Sequence, residues 1–156
     1  MRRISGMTLI ELMMVMAVVA LLVAISLPSY QRYLARGIRS QGQQFLMDLA
    51  QAQEQYFLDQ RQYATDLGPA PLLNRSIPPE VSGKYTLTRP FNVNNAATPP
   101  TFMLVLTPNP GGTMVTDGSL IINSLQQRWR EVDNNGIYNP QPTDCTWEAT
   151  NCVANP

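Results

Sequence analysis

A single acidic side chain, Glu11, lies inside the longest apolar run of the chain, five residues after Gly6. The run covers residues 7–27, and its 21 residues would form a helix about 31 Å long, enough to cross the hydrocarbon core of a bilayer. An ionised carboxylate at the centre of such a helix costs about 2.5–3.5 kcal/mol on insertion scales and usually marks function. Glu11 is therefore the first candidate functional residue.

Two ordinary explanations of the apolar run account for only part of it. A secretory signal peptide would have an apolar region of about 7–15 residues followed by a small-residue cleavage site. This run is longer, and Ser26-Leu27-Pro28-Ser29 is a poor substitute for such a site. A single-pass anchor explains the length, and Arg2 and Arg3 predict a cytoplasmic N-terminus. It leaves Glu11 unexplained.

The rest of the composition offers little catalytic chemistry. Histidine is absent and there are two cysteines, so the chain has no His/Cys cluster for zinc and no Cys-His or Ser-His pair. Aspartate and glutamate are scattered without a shared pattern. We expect a non-enzymatic protein that needs no cofactor and no metal.

The segment Gly6-Met7-Thr8-Leu9-Ile10-Glu11, between a short basic leader and an apolar helix, resembles the N-terminus of type IV prepilins and related pseudopilins. The resemblance implies that a prepilin peptidase cuts after Gly6 and N-methylates Met7. Glu11 would be the fifth mature residue, with a role in assembly. Pro28 matches the position of a helix-bending proline in many pilins. Met7 departs from the usual phenylalanine at the first mature position.

In that family the subunit waits in the bacterial inner membrane and then buries its apolar helix among neighbouring subunits of a fibre. The implied partners are prepilin peptidase, other pilin subunits in a homo- or hetero-polymer, and the inner-membrane assembly platform. The fibre would span the periplasm and extend outside the cell. A buried Glu11 needs a cationic partner. The new amino group of Met7 is the expected one, and the pair would set subunit register.

The resemblance divides the chain into a leader (residues 1–6), a transmembrane and assembly helix (7–28) and a globular head (29–156). Removing the leader leaves 150 of the 156 residues, enough for one globular domain. Lys+Arg falls from 11 to 9 against 11 acidic residues, because Arg2 and Arg3 are lost. A nearly neutral mature chain does not favour nucleic acid as a partner. A local basic patch on the folded head would still be compatible with this overall charge.

The pattern after Pro28 predicts an α+β pilin fold. One helix should continue from Met7 to about Arg61, bending near Pro28, and its second half carries an apolar stripe. A proline-rich loop should follow over residues 68–79. Three strand candidates then predict an antiparallel meander packed on the helix. The stripe comprises Leu34, Ile38, Phe45, Leu49, Ala52 and Tyr56, and the strand candidates are 84–89, 101–107 and 119–123.

Several sequence segments in the head also resemble PilE-type minor pilins: residues 50–57 with Tyr63-Ala64, residues 83–87, and residues 117–120.

Cys145 and Cys152 enclose six residues near the C-terminus. An exported head meets an oxidising compartment, so a disulfide is expected, either as a staple of a strand-poor tail or as part of a contact surface. Residues 133–136 lack the ligand spacing of a calcium loop and predict a turn.

Together these observations favour a structural subunit, a minor pilin of a type IV pilus. Two alternatives stay open. A pseudopilin of a type II secretion system would share the whole N-terminus, and a single-pass membrane-anchored binding domain or enzyme would keep Met1. Roles in twitching motility, adhesion and DNA uptake are equally compatible with the sequence.

Overall fold

A computed structural model describes residues 8–132 and 144–147 of the chain. Within these ranges the chain forms two helices and six strands. They are α1 (Leu9–Gln60), α2 (Pro79–Ser82), β1 (Tyr85–Leu87), β2 (Asn92–Asn94), β3 (Thr101–Pro108), β4 (Ser119–Asn123), β5 (Arg128–Glu131) and β6 (Asp144–Thr146). A long helix combined with a small antiparallel sheet confirms the predicted α+β pilin fold.

Helix α1 is continuous for 52 residues and contains Pro28. Its described bounds agree closely with the predicted helix from Met7 to about Arg61. The helical assignment is not interrupted at Pro28, and a bend there stays a prediction. By its contacts the chain divides into two compact units, residues 1–36 and residues 37–156. The first contains the apolar part of α1, and the second, called the head below, contains the rest of α1 and the sheet.

The sheet is antiparallel, in the order β1-β3-β4-β5-β6. Strand β3 is its centre, because β4 pairs with one edge and both β1 and β2 pair with the other. Strands β1 and β2 lie end to end along that edge, opposite residues 106–108 and 101–103 of β3. This confirms the predicted meander from 84–89 through 101–107 to 119–123.

The core lies between α1 and one face of the sheet. Gly42 shows how closely they approach, since a Cβ on it would lie 3.0 Å from the Leu120 side chain and 3.6 Å from that of Leu106. The predicted stripe is correct in its centre, where the apolar side chains are buried, and wrong at Leu34, which is 45% exposed. Leu34 belongs to the first unit rather than to the head. The buried residues of α1 are Gly42, Phe45, Leu46, Leu49, Ala50, Ala52 and Gln53.

Two side-chain amides hold the chain where it leaves α1. The Gln53 amide is fully buried, donates to the Ala64 carbonyl at 2.7 Å and accepts from the Ala64 N–H at 2.9 Å. Asn95 binds the adjacent Tyr63 in the same way, accepting at 2.8 Å and donating at 3.1 Å. Both backbone groups of two consecutive residues are thus satisfied without a strand partner.

Strands β2, β5 and β6 were not among the predicted strands. β5 reads Arg-Trp-Arg-Glu, a charged sequence, yet Arg130 and Glu131 are both buried. β6 pairs with β5 through Cys145 opposite Arg130, so the expectation of a strand-poor tail is wrong at residues 144–146. Strand propensity does not predict β5, because the burial that stabilises this strand comes from tertiary contacts.

Candidate assembly helix and head surface

The first unit presents an apolar surface with nothing packed on it in the described chain. Helix α1 contains a segment long and apolar enough to cross a membrane, and none of that segment is buried. Its large apolar side chains are between 46% and 78% exposed. Such a surface needs lipid or other subunits around it. These residues are Leu9, Ile10, Leu12, Met13, Met14, Val15, Met16, Val18, Val19, Leu21, Leu22, Val23, Ile25 and Leu27.

Glu11 forms a capping box with Thr8 at the start of α1. The Glu11 N–H donates to the Thr8 hydroxyl at 3.3 Å, and the Glu11 carboxylate accepts from the Thr8 N–H at 3.4 Å. Two of the free donors at the helix N-terminus are thereby satisfied. The Thr-Leu-Ile-Glu motif therefore has a structural role in the single subunit, and sequence reasoning missed it although the spacing of the capping box was visible.

Several predicted site residues lie outside the described residues. They include the cleavage site at Gly6, the methylated Met7, and Cys152. Cys145 is half-buried in β6, and its disulfide with Cys152 stays a prediction. The predicted turn at residues 133–136 also lies outside. Within residues 8–132 and 144–147, no cluster of His, Cys, Asp or Glu is arranged to hold a metal ion.

A buried carboxylate, Asp117, joins α1 to the sheet. It forms a two-pronged ion pair with Arg39 of α1, in which the Arg39 Nε donates to Oδ2 at 2.7 Å. Nη1 of Arg130 in β5 donates to Oδ1 of Asp117 at 2.9 Å. The Tyr85 hydroxyl lies 3.5 Å from Oδ2. Asp117 thus binds groups from the helix and from both sides of the sheet centre.

The surroundings of this centre shift the pKa values of two of its groups, Tyr85 and Arg130. Burial, followed by the nearby Asp117 charge, raises the pKa of the Tyr85 phenol far above its ordinary value of 10.0. Burial and the second guanidinium of Arg39 lower the pKa of Arg130, and Asp117 opposes that shift. The carboxylate therefore compensates two cations that would otherwise destabilise each other.

Three of the open clefts formed by the described residues of the head differ in their chemistry. One, of about 390 Å³, includes the acids Asp48 and Glu80. A second, of about 530 Å³, includes Arg75 and Arg89, which pair with Asp48 and Asp66 respectively. The third, of about 510 Å³, has no acidic residue among its described lining residues, which are Gln43, Met47, Gln126, Arg128, Thr146 and Trp147.

The Arg89–Asp66 pair is exposed and well formed. Both guanidinium nitrogens of Arg89 donate to the carboxylate, at 2.6 and 3.0 Å. These bonds lower the pKa of Asp66 and raise that of Arg89. The positive charge of this arginine is therefore already compensated on the surface.

An apolar N-terminal helix, followed by an amphipathic continuation on an antiparallel meander, defines a type IV pilin. Comparison with known proteins agrees with that class. The model of the prokaryotic N-terminal methylation motif matches residues 1–27. The model described as type IV minor pilin ComP, DNA uptake sequence receptor, matches residues 28–118, more than half of the chain. The chain belongs to this ComP family of type IV minor pilins.

Curated relatives are pilins as well. Over 81 residues the chain is 38% identical to the fimbrial protein EcpC of Eikenella corrodens, covering 52% of this chain and 50% of EcpC. It is 38% identical over 72 residues to the major pilin PilA of Myxococcus xanthus, covering 44% and 33%. Identity to the major pilin PilE1 of Neisseria gonorrhoeae is 36% over 81 residues, covering 52% and 48%. The match thus spans half or less of each relative.

No solved structure matches the chain. The predicted resemblance to type IV pilins is confirmed by the family models and the relatives. The family is a structural one and not a family of enzymes.

Proposed function

We propose that the chain is a minor structural subunit of a type IV pilus, processed by prepilin peptidase and polymerised through the N-terminal part of α1. The observation that carries the proposal is the exposed apolar surface of residues 9–27 with one carboxylate, Glu11, at its start. A helix of this composition can bury its apolar side chains either in lipid or among similar helices in a fibre core. It therefore serves a subunit that moves from one environment to the other.

The Glu11 carboxylate would fix the register of this helix relative to the helices of adjacent subunits. In the single subunit the Thr8 groups stabilise Glu11 only through long hydrogen bonds, at 3.3–3.4 Å. In a fibre core the charge would need a full cationic partner, because an unpaired buried charge is strongly destabilising. Cleavage after Gly6 would supply one at the new amino group of Met7. Pairing between Glu11 and that amine would favour one stagger between adjacent helices.

This proposal places the subunit first in the inner membrane, with its head on the periplasmic side, and then in an extracellular fibre. Besides other pilin subunits, it requires prepilin peptidase and an inner-membrane assembly platform. The basic leader and the methylation motif over residues 1–27 support the processing step.

Replacing the carboxylate tests the assembly role. Glu11→Ala should leave the amount of subunit in the membrane fraction unchanged and abolish its incorporation into sheared fibres. Ser26→Ala is the matched control, because the Ser26 hydroxyl only donates to the Val23 carbonyl of its own helix. It should be incorporated normally. Incorporation of Glu11→Ala at the wild-type level would contradict the proposed role.

A second function is favoured by the description of the family model that matches residues 28–118, a receptor for a DNA uptake sequence. We propose that the head of this subunit binds DNA. The mature chain has no overall positive charge to attract a polyanion, so binding must depend on a few local groups. Binding of labelled duplex DNA to the full chain in non-ionic detergent tests the proposal, and the absence of salt-dependent binding would contradict it.

A further inference from the structure

The turn between β4 and β5 is held by an unusually complete set of hydrogen bonds. The Asn123 side-chain oxygen accepts from the N–H groups of Leu125 and Gln127, both at 3.0 Å. Its amide nitrogen donates to the Gln127 side chain at 2.8 Å. Backbone bonds from Asn123 to Gln127 and from Gln126 to Asn123 close the turn. A loop held by so many bonds loses little entropy when it binds a partner.

This rigid turn presents an apolar side chain to solvent. Leu125 is 70% exposed, whereas the adjacent strand β4 is buried from Ser119 to Ile122. In the described part of the head, Leu58 is the only other large apolar side chain that is 70% exposed. An exposed leucine alone is ordinary. A leucine fixed on a preorganised tip beside a cleft is suited to insertion into a partner.

The cleft beside the turn has the side chains that DNA recognition uses. Gln126 and Arg128 line it, together with Gln43 from α1. Glutamine and arginine are the amide and guanidinium donors that most often bind base edges and phosphates. The Arg128 guanidinium lies over the Trp147 ring, 5.9 Å from its centroid. The Trp147 indole is itself fixed by donating to the Trp129 carbonyl at 2.9 Å.

Charge distinguishes this cleft from the other two. Arg75 and Arg89 are already paired with aspartates. Arg128 is exposed and makes no ion pair with any side chain that the structure describes, and none of the described residues lining its cleft is acidic. A phosphate approaching Arg128 therefore displaces no carboxylate of the described side chains. Of the three clefts, this one is electrostatically the most favourable for a polyanion.

We propose that the β4–β5 turn and its cleft are the DNA-contacting surface of the head. Arg128, supported by Trp147, binds a backbone phosphate, and Gln126 reaches a base edge. Leu125 packs against the bases of a duplex groove, as apolar wedges do in proteins that bind the minor groove. This inference rests on the proposed DNA-binding function and adds the residues that perform it.

The test is fluorescence anisotropy of a labelled DNA duplex, mixed in sequence and about two helical turns long. The full chain in non-ionic detergent is titrated at several salt concentrations. Loss of one phosphate contact lowers the salt slope by about 1, so Arg128→Gln should reduce the slope and Arg128→Lys should restore it. Leu125→Ala should weaken binding about tenfold, close to the value of burying much of one leucine, without changing the slope.

Arg75→Gln is the matched control, since it also removes one positive charge, from an arginine paired with Asp48. It should bind with the wild-type slope. If the wild type binds while Arg128→Gln and Leu125→Ala bind equally well, the surface is wrong and the DNA-binding function stands. If the wild type shows no salt-dependent binding, the DNA-binding function itself fails, and the proposed surface with it.

Discussion

Arg39 and Asp117 lie 78 residues apart in the sequence and form a two-pronged ion pair that joins α1 to the start of β4. Because Asp117 also binds Arg130, one carboxylate compensates two guanidinium groups. The Arg130 side chain is only 5% exposed, and its Nε finds no hydrogen-bond partner in the described part of the chain. The stability of the head therefore depends strongly on Asp117.

Replacing the Asp117 carboxylate should lower the free energy of unfolding of the head substantially. Asp117→Asn keeps the volume but leaves two guanidinium groups without a counter-charge, and removing one partner of a buried ion pair costs about 3–5 kcal/mol. Asp48→Asn is the control. It breaks the exposed pair with Arg75, which contributes about 1 kcal/mol or less. Urea unfolding of the full chain in detergent, followed by near-UV circular dichroism, compares the two. Similar free energies of unfolding for both variants would contradict the role of Asp117.

The Gln53 amide offers a second test. Gln53→Ala leaves the buried N–H and carbonyl of Ala64 without partners, which should lower the free energy of unfolding by roughly 2 kcal/mol or more. Gln55→Ala makes the same chemical change at an exposed position of α1 and should be nearly neutral. The same urea measurement applies. A small effect of Gln53→Ala would show that water or a local shift can replace the amide.

Two glycines with a positive φ allow the cost of the backbone conformation to be compared with the cost of steric overlap. Gly118 has a φ of +87°, and a Cβ there would lie 2.0 Å from the Glu131 carbonyl oxygen. Gly111 has a φ of +72° with no atom within 4 Å of the added Cβ. Gly111→Ala should cost about 1–2 kcal/mol from the left-handed conformation alone. Gly118→Ala should prevent the head from folding, as measured by near-UV circular dichroism, and a folded Gly118→Ala variant would contradict the overlap.

The raised pKa of Tyr85 predicts a loss of stability at alkaline pH. Because the phenol ionises more easily in the unfolded chain than in the head, its contribution is complete below pH 10.0 and is lost as the pH rises above that value. The loss is at most about 1.4 kcal/mol per pH unit for one group. Tyr85→Phe should flatten the decline of the free energy of unfolding between neutral and strongly alkaline pH. An identical decline in wild type and variant would contradict this.

The parts of the fold that follow from local pattern were predictable. The apolar run carries the signal of a helix, and the alternation in β1 and the β-prone apolar residues of β3 and β4 carry the signal of strands. Strand β5 has no such signal, since the burial of its Arg130 depends on an ion pair with Asp117, 13 residues earlier in the chain. The amide of Gln53 was equally hidden, because glutamine on a helix normally faces solvent and only the returning chain at Ala64 buries it.

The two candidate sites also differ in how far the sequence alone could reveal them. Glu11 could be chosen as a candidate from the sequence, because a lone acid in an apolar run is anomalous in any context, and its role in assembly stays a prediction. The cleft at Arg128 was not, because its members come from α1, the β4–β5 turn and residues 146–147, and only the folded sheet brings them together. What distinguishes Arg128 from Arg75 and Arg89 is the absence of a nearby acid among the described residues. That difference exists only in three dimensions.

The central claim is that this chain is processed as a prepilin and incorporated into a fibre. Mass spectrometry of sheared surface fibres tests it most directly, by searching for a peptide that begins at N-methylated Met7. We expect to find that peptide in the fibre fraction, at a low ratio to the major pilin. A chain that still begins at Met1 and occurs only in the cell envelope would contradict the account.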